Sequence, residues 1–162
     1  MPEQNSTLET IYQNWAAYQG LIVKALTPLS DEQLALKAAP RVRSVGQIAR
    51  HMVGARAWWP SGEMGEGGEV IAALAAWNRP DAPEHTASEL VAGLETTGRL
   101  IQDGLARWSS ADMEHVFKGV MHGEAYADSR QWIIWHLIEH DLHHGGELSL
   151  TLGIHGLATP DL

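Results

Sequence analysis

The chain has 162 residues, 44% of them hydrophobic, and a net charge of −9, which is most simply one domain over residues 1–162 with a proper core. An acidic balance with no basic stripe argues against a nucleic-acid surface, which needs clustered Lys and Arg. The absence of cysteine excludes disulfides, thiolate nucleophiles and Cys-ligated zinc. The start, Met1-Pro2-Glu3-Gln4-Asn5, lacks the basic and apolar regions of a signal peptide, and no apolar run reaches the roughly 20 residues that span a bilayer. A cytoplasmic protein with no membrane and no nucleic-acid partner is expected.

Leu8, Ile11, Tyr12, Trp15, Ile22, Ala25, Leu26 and Leu29 recur at three- and four-residue steps, an amphipathic first helix closed near Pro28. Ser30-Asp31-Glu32-Gln33 is a capping box opening a short turn. Ser44 with Gln47 is another, opening a second helix through Ile48, His51, Met52, Ala55 and Trp59. Pro60 and the glycines at 62, 65, 67 and 68 then break the pattern, as a lid over a site or as a plain connector. Val70 to Trp77 resumes helix two or forms a short helix of its own, and Asn78 to Pro83 is a loop. Thr86-Ala87-Ser88-Glu89 caps a third helix with the stripe Leu90, Leu94, Thr97, Ile101, Leu105 and Trp108. Ser109 to Met113 reads as a second cap-and-turn, and Lys118 to Tyr126 as a glycine-interrupted irregular stretch. Asp128 or Ser129 caps the fourth helix, which ends near Gly153.

Helix one, a capped turn and a His-bearing helix are thus echoed by helix three, a capped turn and a His-bearing helix. Residues 44–53 laid on 129–138 match at Ser, Ile and His. The pattern predicts an all-α four-helix bundle of two pseudo-symmetric hairpins. Inward residues of helices two and four then meet, as they do in metal sites of bundles. Trp15, Trp108, Trp132 and Trp135 fall at helical spacing and read as core. Trp58 and Trp59, where helix two meets the glycine loop, could wall a substrate pocket, although packing or a dimer interface is the commoner use of such residues.

Four of the nine histidines lie at positions 136, 140, 143 and 144 on helix four, with Glu147 following. At about 100° per residue, His136, His140, His144 and Glu147 share one sector with Ile133, Leu137, Leu148 and Thr151. Polar rings on an inward face need partners, because an unpaired buried polar group costs a few kcal/mol. His136 alone reads as a satisfied core residue, whereas the pair His140 and His144 can chelate one divalent ion. By spacing alone, 136/140 is equivalent to 140/144. His51, on the apolar stripe of helix two, is the candidate third ligand. Three neutral imidazoles leave a position open for water or substrate, the pattern of a catalytic rather than a closed site. Glu147 could act as general base or orient a ligand ring. His143 lies nearer the sector's edge, as a supporting or substrate-facing group. Glu139 and Asp141 fall on the flanks and read as solvated charges. His85, His115 and His122 show no ligand spacing and read as surface or loop residues.

At these residues the chain resembles the DinB/YfiT-like superfamily of metalloenzymes, over nearly its whole length. The resemblance rests on His51 with its tryptophans and on His136-x-x-x-His140-x-x-His143-His144 with Gly146 following. It implies metal ligation by His51, His140 and His144, with zinc or nickel the expected ion. Gly145 and Glu147 stand where the family pattern has Arg and Gln, which makes Glu147 a stronger acid–base candidate here. Relatives of this type include transferases joining a low-molecular-weight thiol such as bacillithiol to electrophiles, and a mycothiol-dependent maleylpyruvate isomerase with a related metal domain. The resemblance therefore implies a metal ion, a thiol cosubstrate, a small-molecule substrate and a stress-response setting. A metal-dependent hydrolase and a non-catalytic metal-stabilised binding protein are the competing readings. Bundles with tryptophan-rich outer faces often form homodimers, and sequence assigns no face to one.

Overall fold

The computed structural model describes residues 7–121 and 123–161. The polar segment at 1–5 and His122 lie outside the described residues. Four long helices carry the fold: α1 (Thr7–Leu26), α3 (Val45–Trp58), α5 (Ala87–Arg107) and α7 (Arg130–Ile154). Short helices α2 (Asp31–Leu34), α4 (Gly68–Ala75) and α6 (Ser110–Glu114) lie in the connections, with strands β1 (Val116–Met121) and β2 (Glu124–Ser129) before α7. Among the described residues no helix is long and apolar enough to cross a membrane.

The starts of these helices follow the capping chemistry. Ser30, Ser44, Thr86 and Ser109 each accept from the backbone N–H three residues on, and the side chain there reaches back to the cap. Ser129, rather than Asp128, caps α7 by accepting from Trp132 N–H. Each such cap satisfies helix-end donors that would otherwise be unpaired.

α1 packs on α5 and α3 on α7, the like-with-like contacts of two related hairpins α1/α3 and α5/α7, and α3 also packs on α5. α2 and α6 occupy equivalent places. The stretch expected to be irregular is instead an antiparallel hairpin pairing Val116 with Ser129 through Met121 with Glu124. Its two glycines hid it. Gly123 takes a turn conformation at φ 84°, and Gly119 leaves room for the Tyr126 ring across the ladder. The first half holds a remnant of the same feature, one antiparallel bridge from Lys37 to the α3 cap Ser44. Val70 lies in the separate short helix α4, and α3 runs on into a π-helical turn, Trp59–Glu63.

The core is two apolar clusters end to end. One joins Tyr18, Ile22, Leu26, Met52, Leu94 and Leu148, and the other Trp15, Trp59, Ile101, Ile133 and Leu137. Between them on the same helices lie buried polar side chains, Arg56, Thr97 and Asp141. Asp141, expected to be solvated, is instead fully buried. Its Oδ1 accepts from Arg56 Nε at 2.9 Å, and its Oδ2 accepts from Trp15 Nε1 at 2.8 Å and Gln19 Nε2 at 2.6 Å. A carboxylate can be buried when a guanidinium and further donors saturate its lone pairs.

Other expectations also fail at the bundle's outer face. Leu8 and Ile11 are exposed, as are Trp132 (41%) and Trp135 (55%), so the inward stripes of α1 and α7 are narrower than the sequence pattern suggested. His85 lies in the loop before α5, as expected, but not on the surface: its side chain is 10% exposed and stacks on Trp77 at 3.7 Å.

Candidate metal centre

His51 projects from α3 toward His140 and His144, one turn apart on α7. One ligand-capable atom from each of the three lies within 4.8 Å of the others. The Nε2 atoms of His51 and His140 are 3.1 Å apart, and the His140 and His144 rings are 4.3 Å apart. Of the two i, i+4 pairs left equivalent by spacing, the His51 ring stands against 140/144. His136 lies outside the trio, 6.1 Å from the His140 ring, with its Nδ1 2.9 Å from Glu139 Oε1. His143 points outward with its side chain 68% exposed, and its Nε2 is 3.7 Å from Glu147 Oε1. Trp58 and Trp59 meet edge to face at 4.9 Å, and Trp59 reaches His136 at 5.3 Å.

The outer nitrogens of two of these rings are held by oxygen acceptors. His51 Nδ1 donates to Asn78 Oδ1 at 2.6 Å, and His144 Nδ1 donates to Glu147 Oε2 at 2.6 Å. An amide oxygen and a carboxylate only accept, so each Nδ1 carries the proton and each Nε2 keeps a lone pair. Such partners fix the tautomer and ring orientation of metal-binding histidines. Of the two roles expected for Glu147, the geometry therefore favours orientation, because its carboxylate sits behind His144 rather than in front of it.

Burial is the first cause of the low basicity of these rings. It pushes His51 down to about 4, against the Asn78 hydrogen bond and with help from Arg43. It pushes His140 down to about 3, with the neighbouring His144 and His51 adding to the effect. His144 is lowered by burial too, partly offset by Glu147. All three are neutral near pH 7, as ligation requires.

These residues fit a divalent ion. His51 and His144 present lone pairs to one point, and His140 Nδ1 is buried without a hydrogen-bond partner. If His140 Nε2–H instead donates to His51, that Nδ1 is left as a buried, unpaired acceptor, which costs free energy. His140 Nδ1 has no partner in either tautomer, so the fit rests on the Nε2 side, where an ion would give the converging lone pairs a shared partner.

Asn78 was not foreseen, since it reads as an ordinary loop residue. The signal for its position is Gly54, one turn after His51. A Cβ at 54 would lie 2.5 Å from the Asn78 backbone nitrogen, so only glycine lets this turn rest on α3. Gly54→Ala is expected to displace Asn78 and lower metal affinity by roughly 10–100-fold, the usual cost of losing an outer-shell partner. A competition titration with a chromophoric chelator checks this, and unchanged affinity would remove Asn78 from the site. Gly145 is just as confined, with a Cβ there 1.9 Å from Tyr18 Oη, so no side chain fits at that position while Tyr18 keeps its place.

The same depressed basicity sets a pH dependence in metal-free protein. Between pH 6.5 and about 4 the unfolded chain takes up protons at His51 and His140 that the folded chain refuses. Stability from this source is complete above pH 6.5 and falls as pH drops through the window. Thermal unfolding from pH 7 to 4.5 should show a falling Tm, with a shallower slope in His140→Phe. Equal slopes would mean the rings are not buried neutral.

Among curated proteins, none matches this chain. Solved structures share its fold at low identity. A DinB-like protein from Bacillus cereus ATCC 10987 superposes with a TM-score of 0.73 at 22% identity, covering 96% of this chain and 97% of its own. A conserved protein from Enterococcus faecalis gives 0.67 at 13% identity, over 93% and 99%. YfiT from Bacillus subtilis, described as having an unusual four-helix bundle topology, gives 0.58 at 15%, over 98% and 94%. The resemblance first carried by the histidines extends to the whole sequence: the DinB family's sequence model matches residues 1–162, and the chain belongs to that family.

Proposed function

We propose that this protein is a metal-dependent transferase that joins a low-molecular-weight thiol to an electrophilic small molecule at His51, His140 and His144. The observation that carries the reading is the trio itself: three neutral imidazoles converge from two helices, one donor fewer than a closed four-ligand site has. Zinc and nickel both suit such a nitrogen donor set. When bound, the ion supplies Lewis acidity that lowers the pKa of a thiol at the open position. The protein has no cysteine, so a sulfur nucleophile has to come from a cosubstrate. In the reaction that sulfur bonds to the electrophilic carbon, the leaving group departs with its electron pair, and the thiol proton passes to solvent. Asn78 and Glu147 keep the His51 and His144 rings oriented while this occurs.

Hydrolysis is the second reading, favoured by the similarity in fold to YfiT, which is described as a probable metal-dependent hydrolase. Against it, Glu147, the expected base, is already committed to His144 Nδ1. The test is to screen cysteine-derived low-molecular-weight thiols against 1-chloro-2,4-dinitrobenzene, with zinc or nickel present and in excess chelator. Conjugation that needs both thiol and metal supports transfer. Metal-dependent ester cleavage without any thiol would replace it with hydrolysis.

A further inference from the structure

Two rows of side chains face each other where α3 meets α7, and the proposed metal centre uses only one end of them. On α7, Trp132, His136, His140 and His144 follow at four-residue steps, with successive ring centroids 5.2, 6.1 and 4.3 Å apart. On α3 and its π-helical extension, His51, Ala55 and Trp59 keep the same step. His51 meets His140 and His144 at 4.9 and 4.7 Å, and Trp59 meets Trp132 and His136 at 5.7 and 5.3 Å. Between His51 and Trp59 this row holds only the methyl of Ala55. The imidazole end and the indole end therefore lie along one seam between α3 and α7, with only the small, buried Ala55 between them on α3.

The indole end is built like a binding surface rather than a closed core. Trp59 is buried and fixed, while Trp132 stacks parallel on His136 and is exposed as a residue. His136 is held in turn by Glu139, 2.9 Å from its Nδ1. Rigid aromatic rings fixed by their neighbours suit stacking with a flat π system, at little entropic cost. The nearby charges narrow the choice of ligand. Glu63 closes the turn that begins at Trp59, and Asp128 lies one turn before Trp132. Burial, aided by the Asp128 charge, pushes Glu63 upward. Neither carboxylate has a hydrogen-bond or ion-pair partner among the described residues, and Glu139 pairs only with His136. A negatively charged ring would be repelled here.

We propose that Trp59, Trp132 and His136 form a subsite for a planar aromatic group without negative charge, carried by the molecule whose reactive atom lies at His51, His140 and His144. The link to catalysis rests on the transferase reading, whereas the binding surface does not. Eight residues of helix separate Trp132 from His140, about 12 Å, so a molecule that reaches both ends is longer than two fused rings alone.

The experiment is a titration of the whole protein with 2-naphthamide, and separately with 2-naphthoate, following the seven tryptophan indole N–H signals by NMR. The amide should move the Trp59 and Trp132 signals and leave that of Trp135 in place. Trp132→Ala should weaken amide binding about 2- to 10-fold, the worth of one ring-stacking contact, while Trp135→Ala, more exposed but off this row, should not. Naphthoate should bind more weakly than the amide. Unmoved Trp59 and Trp132 signals, equal binding by the two alanine variants, or tighter binding of naphthoate would each overturn the proposal. His140→Ala should still bind the amide. Binding in this pattern without any thiol conjugation would leave the subsite standing and remove only the transferase reading.

Discussion

Asp141→Ala is expected to destabilise the protein by about 3–5 kcal/mol, the range for breaking a buried ion pair from one side. Arg56 and Asp141 are both fully buried, so the substitution strands a guanidinium between two apolar clusters. It also deprives the buried Trp15 donor and the half-buried Gln19 donor of their acceptor, and a buried unpaired donor such as Trp15 Nε1 costs about 1–3 kcal/mol. Replacing both partners, Arg56→Met with Asp141→Leu, should recover much of the loss, because the desolvation cost of both charges is then removed. Urea unfolding of the two single variants and the double variant measures this. A loss under about 1 kcal/mol for Asp141→Ala would mean that solvent reaches the pair.

His140→Ala is expected to reduce metal affinity by more than the roughly 10–100-fold lost with an outer-shell partner. His140 is in contact with both of the other rings, at 4.9 Å from His51 and 4.3 Å from His144. His136→Ala should leave affinity within about 2-fold, since its ring is outside the trio and its Nδ1 is engaged by Glu139. Chelator competition on the two variants separates the pairs 136/140 and 140/144. Equal losses would place His136 in the donor set. Removal of metal should also lower Tm, because an ion that binds only the folded chain stabilises it by mass action.

The helices and their starts were legible because caps are local: Ser30, Ser44, Thr86 and Ser109 each act on a backbone N–H within one turn. The histidine cluster was legible for a similar reason, since an i, i+4 pair needs only helical geometry and His51 lay on an apolar stripe. The hairpin before α7 was not, because Gly119 and Gly123 resemble loop residues until Tyr126 is seen crossing the first of them. Asp141 was misplaced because its burial depends on Arg56, 85 positions away in sequence. Arg56 follows Met52 by four residues on the buried stripe of α3, and a charge there was the readable sign of a buried partner. Asn78 left no such sign, because its role follows from how closely the chain approaches Gly54.

The central claim is that His51, His140 and His144 together hold one divalent ion. X-ray absorption with elemental analysis, on tag-free protein purified without chelator and reconstituted with zinc, tests it most directly. One zinc per chain, with about three imidazole nitrogens at the ~2.0–2.1 Å typical of zinc–histidine bonds, is the predicted result. A folded protein that takes up no zinc, or binds it through oxygen donors alone, would contradict the account.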